Sequence, residues 1–181
     1  MSSNNLFRYG GIPAIASAVL YVLALGTGFA TGGAPSAVGM ALTVVSILSF
    51  LVVVYALYVA HRSEGPGMSL IAMLAAGGGT LGGLFLDPTK ITPLFGVVAL
   101  VYGIGVTLFG WLAHRSPKMP RGMGIVVIVT GVLSLILAAV AFAGGSVEIF
   151  GLLNLVLTVP YVVWLIWLGR HWLISPSAPL A

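Results

Sequence analysis

Cysteine is absent from the 181 residues, and charged residues make up only 6% of them. The first absence excludes disulfides, thiolate metal ligands and cysteine nucleophiles. The second excludes a soluble domain, because soluble domains need about 25% charged residues to cover a water-facing surface. Seven basic and three acidic residues are also too few for a nucleic-acid-binding surface. With 60% hydrophobic residues, the sequence predicts a membrane protein whose surroundings are the lipid bilayer.

Ionisable residues are also missing from the middle of every long apolar run, and catalytic motifs are missing from the whole chain. Intramembrane charges normally mark ion paths and proton relays, so their absence argues against a proton-coupled pump. The chain has no serine nucleophile elbow, no His-Glu-x-x-His motif and no acidic cluster that could bind a metal. We therefore predict a protein that is not an enzyme and has no catalytic or metal-binding residues.

Six apolar runs are each long enough to cross the hydrocarbon core of about 30 Å as a helix. The predicted spans are 12–30, 38–60, 68–86, 91–113, 123–143 and 149–169. Helices are the only choice, because lipid excludes open sheet edges and the runs lack the alternation of barrel strands. The sequence predicts an all-α polytopic membrane protein, a bundle of six transmembrane helices forming one domain over residues 1–181.

The basic residues predict the orientation of these helices. Assigning the loops alternately to the two sides puts six basic residues on one side and only Lys90 on the other. The six are Arg8, Arg62, Arg115, Lys118, Arg121 and Arg170. The positive-inside rule then places both termini in the cytoplasm, in a multi-pass protein of the inner (plasma) membrane. The first run is longer than the apolar region of about 7–15 residues in a signal peptide, so we expect an uncleaved first helix.

A short signature recurs at the predicted cytoplasmic ends of three spans. Tyr58-Val-Ala-His61-Arg62-Ser63 closes the second span, and Trp111-Leu-Ala-His114-Arg115-Ser116 closes the fourth. The sixth span closes with the related residues 167–172. One explanation is a repeat of three helical hairpins. The other is that any cytoplasmic helix end collects an aromatic residue, an arginine and a small residue.

Two histidines of this signature, His61 and His114, are candidate ligands for a haem or pigment. They end helices of the same orientation and could supply two axial nitrogens. Both lie at the water boundary, where anchoring at the interface also accounts for them. We therefore predict no cofactor, with haem or pigment binding as the least favoured alternative.

Glycines are concentrated in the third span, where Gly78, Gly79, Gly82 and Gly83 form pairs one helical turn apart. Such spacing allows two helix backbones to approach closely. No Lys-Ser/Thr follows, which excludes a phosphate-binding loop. The stretch predicts close packing against the fourth span or against a second subunit.

The most notable polar group within the spans is Asn154, which is followed by Thr158 and Tyr161. Asparagine and threonine commonly hydrogen-bond between transmembrane helices. The same residues could instead line a weakly polar substrate cavity. Both interpretations stay open.

The last hairpin resembles known proteins at its two ends. Met119-Pro120-Arg121-Gly122 leads into a glycine-rich fifth span, and Val162-Val-Trp164-Leu-Ile-Trp167-Leu-Gly169-Arg170 closes the sixth. These sequences resemble small six-span prokaryotic membrane proteins grouped as domains of unknown function. The resemblance implies an inner-membrane helical bundle, and no activity or catalytic residue comes with it.

The function that these observations favour is a small subunit or scaffold of a membrane complex, with a membrane-protein partner or as a homo-oligomer. The alternative is a small-solute or lipid permease with a cavity near Asn154. A haem- or pigment-binding subunit is the third hypothesis.

Overall fold

The computed structural model describes residues 3–32, 36–86, 91–120 and 122–174, and all regular structure in these ranges is helical. Six α-helices follow one another along the chain, each long and apolar enough to cross a membrane. They are α1 (Ser3–Ala30), α2 (Ala37–His61), α3 (Pro66–Gly82), α4 (Pro93–Arg115), α5 (Met123–Phe142) and α6 (Val147–Ile174), and α3 reaches spanning length together with the 3-10 turn Gly83–Phe85 that follows it. The predicted all-α fold with six membrane-spanning helices is confirmed, and the chain is an integral membrane protein.

The helix ends differ from the predicted spans mainly in α1 and α6, which have 28 residues each. Such a helix is about 42 Å long, whereas the hydrocarbon core is about 30 Å thick. The apolar runs indicate only the part of each helix that lies inside the lipid. They therefore do not predict how far a helix continues into the membrane interface. α6 also continues through Pro160.

Proline and glycine define several other boundaries. Pro66 and Pro93 stand in the first turns of α3 and α4, where the missing proline N–H costs no hydrogen bond. The hydroxyl of Thr92 accepts a hydrogen bond from the backbone N–H of Phe95 and caps α4. Gly122, with φ of 92°, turns the chain into α5 through the left-handed region that favours glycine.

The chain divides into two compact units. The terminal unit consists of residues 1–56 and 165–181, and it contains α1, most of α2 and the end of α6. The central unit consists of residues 57–164, and it contains the end of α2, helices α3 to α5 and most of α6.

In the terminal unit, α1 contacts α6 through glycine backbones. A Cβ atom on Gly11 would lie 2.9 Å from the carbonyl oxygen of Gly169, and one on Gly169 would lie 2.7 Å from that of Gly11. α1 is also joined to α2, because the buried hydroxyl of Ser46 donates a hydrogen bond of 2.9 Å to the carbonyl of Ser17. Small residues therefore set these helix contacts.

In the central unit, α4 packs against α3 on one side and α5 on the other. On the α3 side, a Cβ on Gly105 would meet the backbone of Ala76. On the α5 side, Gly103 lies against Gly131 and Gly110 against Gly124, each pair touching through backbone atoms. Without side chains at these positions the backbones come into van der Waals contact, which replaces the hydrophobic driving force that lipid does not supply.

Candidate functional site

The two histidines of the repeated signature lie in different environments. His61, the last residue of α2, is fully buried, whereas His114 in the last turn of α4 is exposed. His61 Nδ1 lies 3.1 Å from Glu64 Oε2. Its Nε2 atom is buried without a hydrogen-bond partner in the described part of the chain. A shared sequence pattern thus yields one interior and one surface histidine, and the expectation that they bind no cofactor stays a prediction.

Glu64 organises a polar cluster that joins two loops. Its carboxylate accepts a hydrogen bond of 3.0 Å from the hydroxyl of Ser116 and lies 3.4 Å from Lys118 Nζ. The same Nζ donates a hydrogen bond of 3.3 Å to Ser63 Oγ. We name His61, Ser63, Glu64, Ser116 and Lys118 the loop cluster. It fastens the loop between α2 and α3 to the loop between α4 and α5.

The charge on Glu64 follows from these contacts. Burial by itself would raise the pKa of its carboxyl group, but the hydrogen bonds with His61 and Ser116 and the charge of Lys118 outweigh that effect. The pKa of Glu64 therefore lies below its ordinary value of 4.5, and the carboxylate is ionised at neutral pH. The hydroxyl of Ser116 donates to the carboxylate, whereas the serine of a hydrolytic triad donates to an imidazole. The geometry of the loop cluster is therefore suited to holding the two loops together.

The four predicted packing glycines of the third span fall into two pairs. Gly79 and Gly82 face α4, where a Cβ on Gly79 would lie 2.6 Å from the backbone nitrogen of Tyr102 and one on Gly82 would lie 2.9 Å from the Val98 side chain. Gly78 and Gly83 have open space within 4 Å of the position of a Cβ. The fourth span of the same chain is thus the neighbour of one pair, and the other pair faces outward.

The polar residues of α6 use part of their hydrogen-bonding capacity within their own helix. The hydroxyl of Thr158 donates a hydrogen bond of 2.7 Å to the carbonyl of Asn154. The buried ring of Tyr161 packs edge-on against Trp164, with 6.2 Å between the ring centroids. The side chain of Asn154 is half-buried. A substrate cavity near Asn154 stays the alternative hypothesis.

Sequence reasoning missed two parts of this arrangement. The first is the α5 half of the contact with α4, formed by Gly124 and Gly131. Their seven-residue spacing, which matches that of Gly96, Gly103 and Gly110 in α4, was the available signal. The second is Glu64, two of whose partners, Ser116 and Lys118, lie 52 and 54 residues away along the chain, beyond the reach of any local pattern.

Within the described residues no three His, Asp or Glu side chains come close enough to hold a metal ion.

Comparisons with known proteins identify no family for this chain. No family model, curated protein or solved structure matches the chain, so the resemblance to six-span prokaryotic proteins stays a prediction.

Proposed function

We propose that the protein is a non-enzymatic component of a membrane complex, a small subunit or scaffold that packs against a helix of another polypeptide. The observation that carries this proposal is the outward face of α3. Gly67 and Gly78 on this face have open space where a Cβ would stand. Between them stand exposed large side chains, including Leu74 at 63% exposure.

The outward-facing glycines destabilise α3, and no contact within the described part of the single chain compensates for the lost stability. Glycine inside a helix costs about 1 kcal/mol relative to alanine. At Gly79 that cost is offset by close contact with α4, but Gly78 makes no such contact. A partner helix seated on Gly78 would supply the missing contact, as in other transmembrane helix pairs with small residues at the interface.

The spacing of this face fits a helix partner. We name Gly67, Ile71, Leu74, Gly78 and Leu81 the outer α3 face; apart from the glycines, its members are exposed large hydrophobic residues. They recur at alternating steps of four and three residues, which is the spacing of a seam between two helices. The exposed face of α2 differs from it because no exposed glycine lies on α2. That face carries large side chains such as Val44, Leu48 and Val52, as a lipid-facing helix requires.

The proposal predicts that leucine at position 78 dissociates the complex. The added side chain would hold the partner backbone away, and overpacking of this kind costs about 1–3 kcal/mol, or roughly 5- to 150-fold in affinity. The measurement is the mass of the particle extracted in mild detergent, for the wild type and for Gly78→Leu. Gly151→Leu in α6 is the matched control, because Gly151 also has open space around it but lies outside the outer α3 face.

Two results would contradict the proposal. One is a wild-type protein that is monomeric when extracted under these conditions. The other is a complex that survives Gly78→Leu as well as it survives Gly151→Leu.

We also propose that the loop cluster faces the cytoplasm, on the charge count given above. The chain has no cysteine, so single cysteines at the exposed Ser63 and Ser146 can be labelled directly. In intact cells we expect an impermeant maleimide to label Ser146→Cys and to reach Ser63→Cys only after the membrane is opened. Labelling of both before opening, or the reverse pattern, would refute the orientation.

A further inference from the structure

The terminal unit carries an apolar groove along α1. Its volume is about 430 Å³, within the range of roughly 300–1,000 Å³ found for small-molecule sites. The lining consists of aliphatic side chains: Ile12, Ile15, Ala16, Val19, Leu20 and Leu173. We propose that this groove binds an acyl chain of an anionic phospholipid, and that Arg170 binds the headgroup.

The groove is a fixed feature of the packing between α1 and α6. The backbones of the two helices touch at Gly11 and Gly169, as described above. Next to this contact, Leu173 approaches within 2.9 Å of the position that a Cβ on Gly11 would take. Ile15 lies similarly close, 2.6 Å from the position of a Cβ on Gly169. The contact therefore brings Leu173 close to Ile12, the first residue of α1 that lines the groove.

The groove has the depth of one lipid leaflet. Gly169 is the last residue of the predicted sixth span, so its contact with Gly11 places both near the edge of the hydrocarbon core. From Ile12 to Leu20 the helix rises about 12 Å, close to the roughly 15 Å that half of a 30 Å core provides. The groove thus runs from the membrane boundary towards the bilayer centre, which is the course of an acyl chain.

An arginine whose unit contains no acidic side chain stands at the boundary end. Arg170 is exposed and precedes Leu173 by three residues, which puts both on neighbouring positions of one helix face. No aspartate or glutamate occurs at positions 1–56 or 165–181, the residues of the terminal unit. A guanidinium pairs with phosphate through two parallel hydrogen bonds, and its long stem allows it to reach the interface. The charge therefore selects an anionic headgroup.

The test is competition between two lipids for the full-length protein. The purified chain is incubated in nonionic detergent with equal amounts of phosphatidylglycerol and phosphatidylcholine that have identical acyl chains, and retained lipid is counted by native mass spectrometry. We expect one phosphatidylglycerol per chain, and about fivefold less preference for it in Arg170→Gln, the effect of one cation near a membrane surface. Arg62→Gln, which removes an exposed charge in the loop between α2 and α3, should keep the preference.

A second pair of variants tests the groove itself. Val19 and Val22 are exposed to 47% and 46% on the same helix, but only Val19 lines the groove. Val19→Trp should lower retention of both lipids, whereas Val22→Trp should not, with circular dichroism checking that both stay folded. The proposal is overturned if the wild type retains the two lipids equally or if Arg170→Gln and Arg62→Gln behave alike. It is also overturned if Val19→Trp retains lipid like Val22→Trp.

Discussion

Replacing Gly131 by leucine is expected to lower the free energy of unfolding by at least about 3 kcal/mol, the upper end of the usual cost of overpacking. A Cβ on Gly131 would lie 2.6 Å from the backbone nitrogen of Thr107 and 2.9 Å from the carbonyl oxygen of Gly103. Both contacts are with backbone atoms of α4, which cannot rotate away as a side chain can. Unfolding by SDS, followed by circular dichroism, measures the difference.

Gly151→Leu is the matched control, because it adds the same side chain where nothing lies within 4 Å of a Cβ. Gly32 would be a poor control although it is also open, since its φ of 62° strains any other residue. Equal stability of Gly131→Leu and Gly151→Leu would remove the role assigned to the contact between α4 and α5.

The number and type of helices could be predicted from the sequence because lipid imposes a length and a composition on every span. The choice of packed face could not. In a soluble helix the polar face marks the outside, but here both the lipid-facing and the packed faces are apolar. Gly78 and Gly79 are therefore equivalent as sequence, although one faces outward and the other contacts Tyr102.

The repeated signature shows a similar limit of sequence-based prediction at the loops. It aligns His61 with His114 and Ser63 with Ser116, but the structure buries the first histidine and exposes the second. The two signatures also differ in the residue that follows: Glu64 follows the first and accepts hydrogen bonds from both His61 and Ser116. The second signature is followed by Pro117 instead, so its histidine has no corresponding acid in sequence.

Replacing Glu64 by leucine is expected to destabilise the protein by about 3 kcal/mol, because it removes the partner of the fully buried His61 imidazole and of Ser116 and Lys118. Glu64→Gln, which keeps an acceptor oxygen, should cost only about 1 kcal/mol, since the carboxylate is partly exposed and its ion pair is screened. SDS unfolding of both variants at pH 7 measures these costs. Arg62→Gln is the charge control, because the exposed Arg62 lies outside the loop cluster.

The pH dependence gives a second, independent readout of the same carboxylate. A group whose pKa is lower in the folded state stabilises that state fully above its unfolded pKa and loses the contribution as the pH falls through its folded pKa. For Glu64 the stabilisation should be complete above pH 4.5 and disappear below it. The gap in stability between the wild type and Glu64→Gln should therefore narrow between pH 5 and the acid limit. A gap that stays constant over this range would show that the charge of Glu64 does not fasten the two loops.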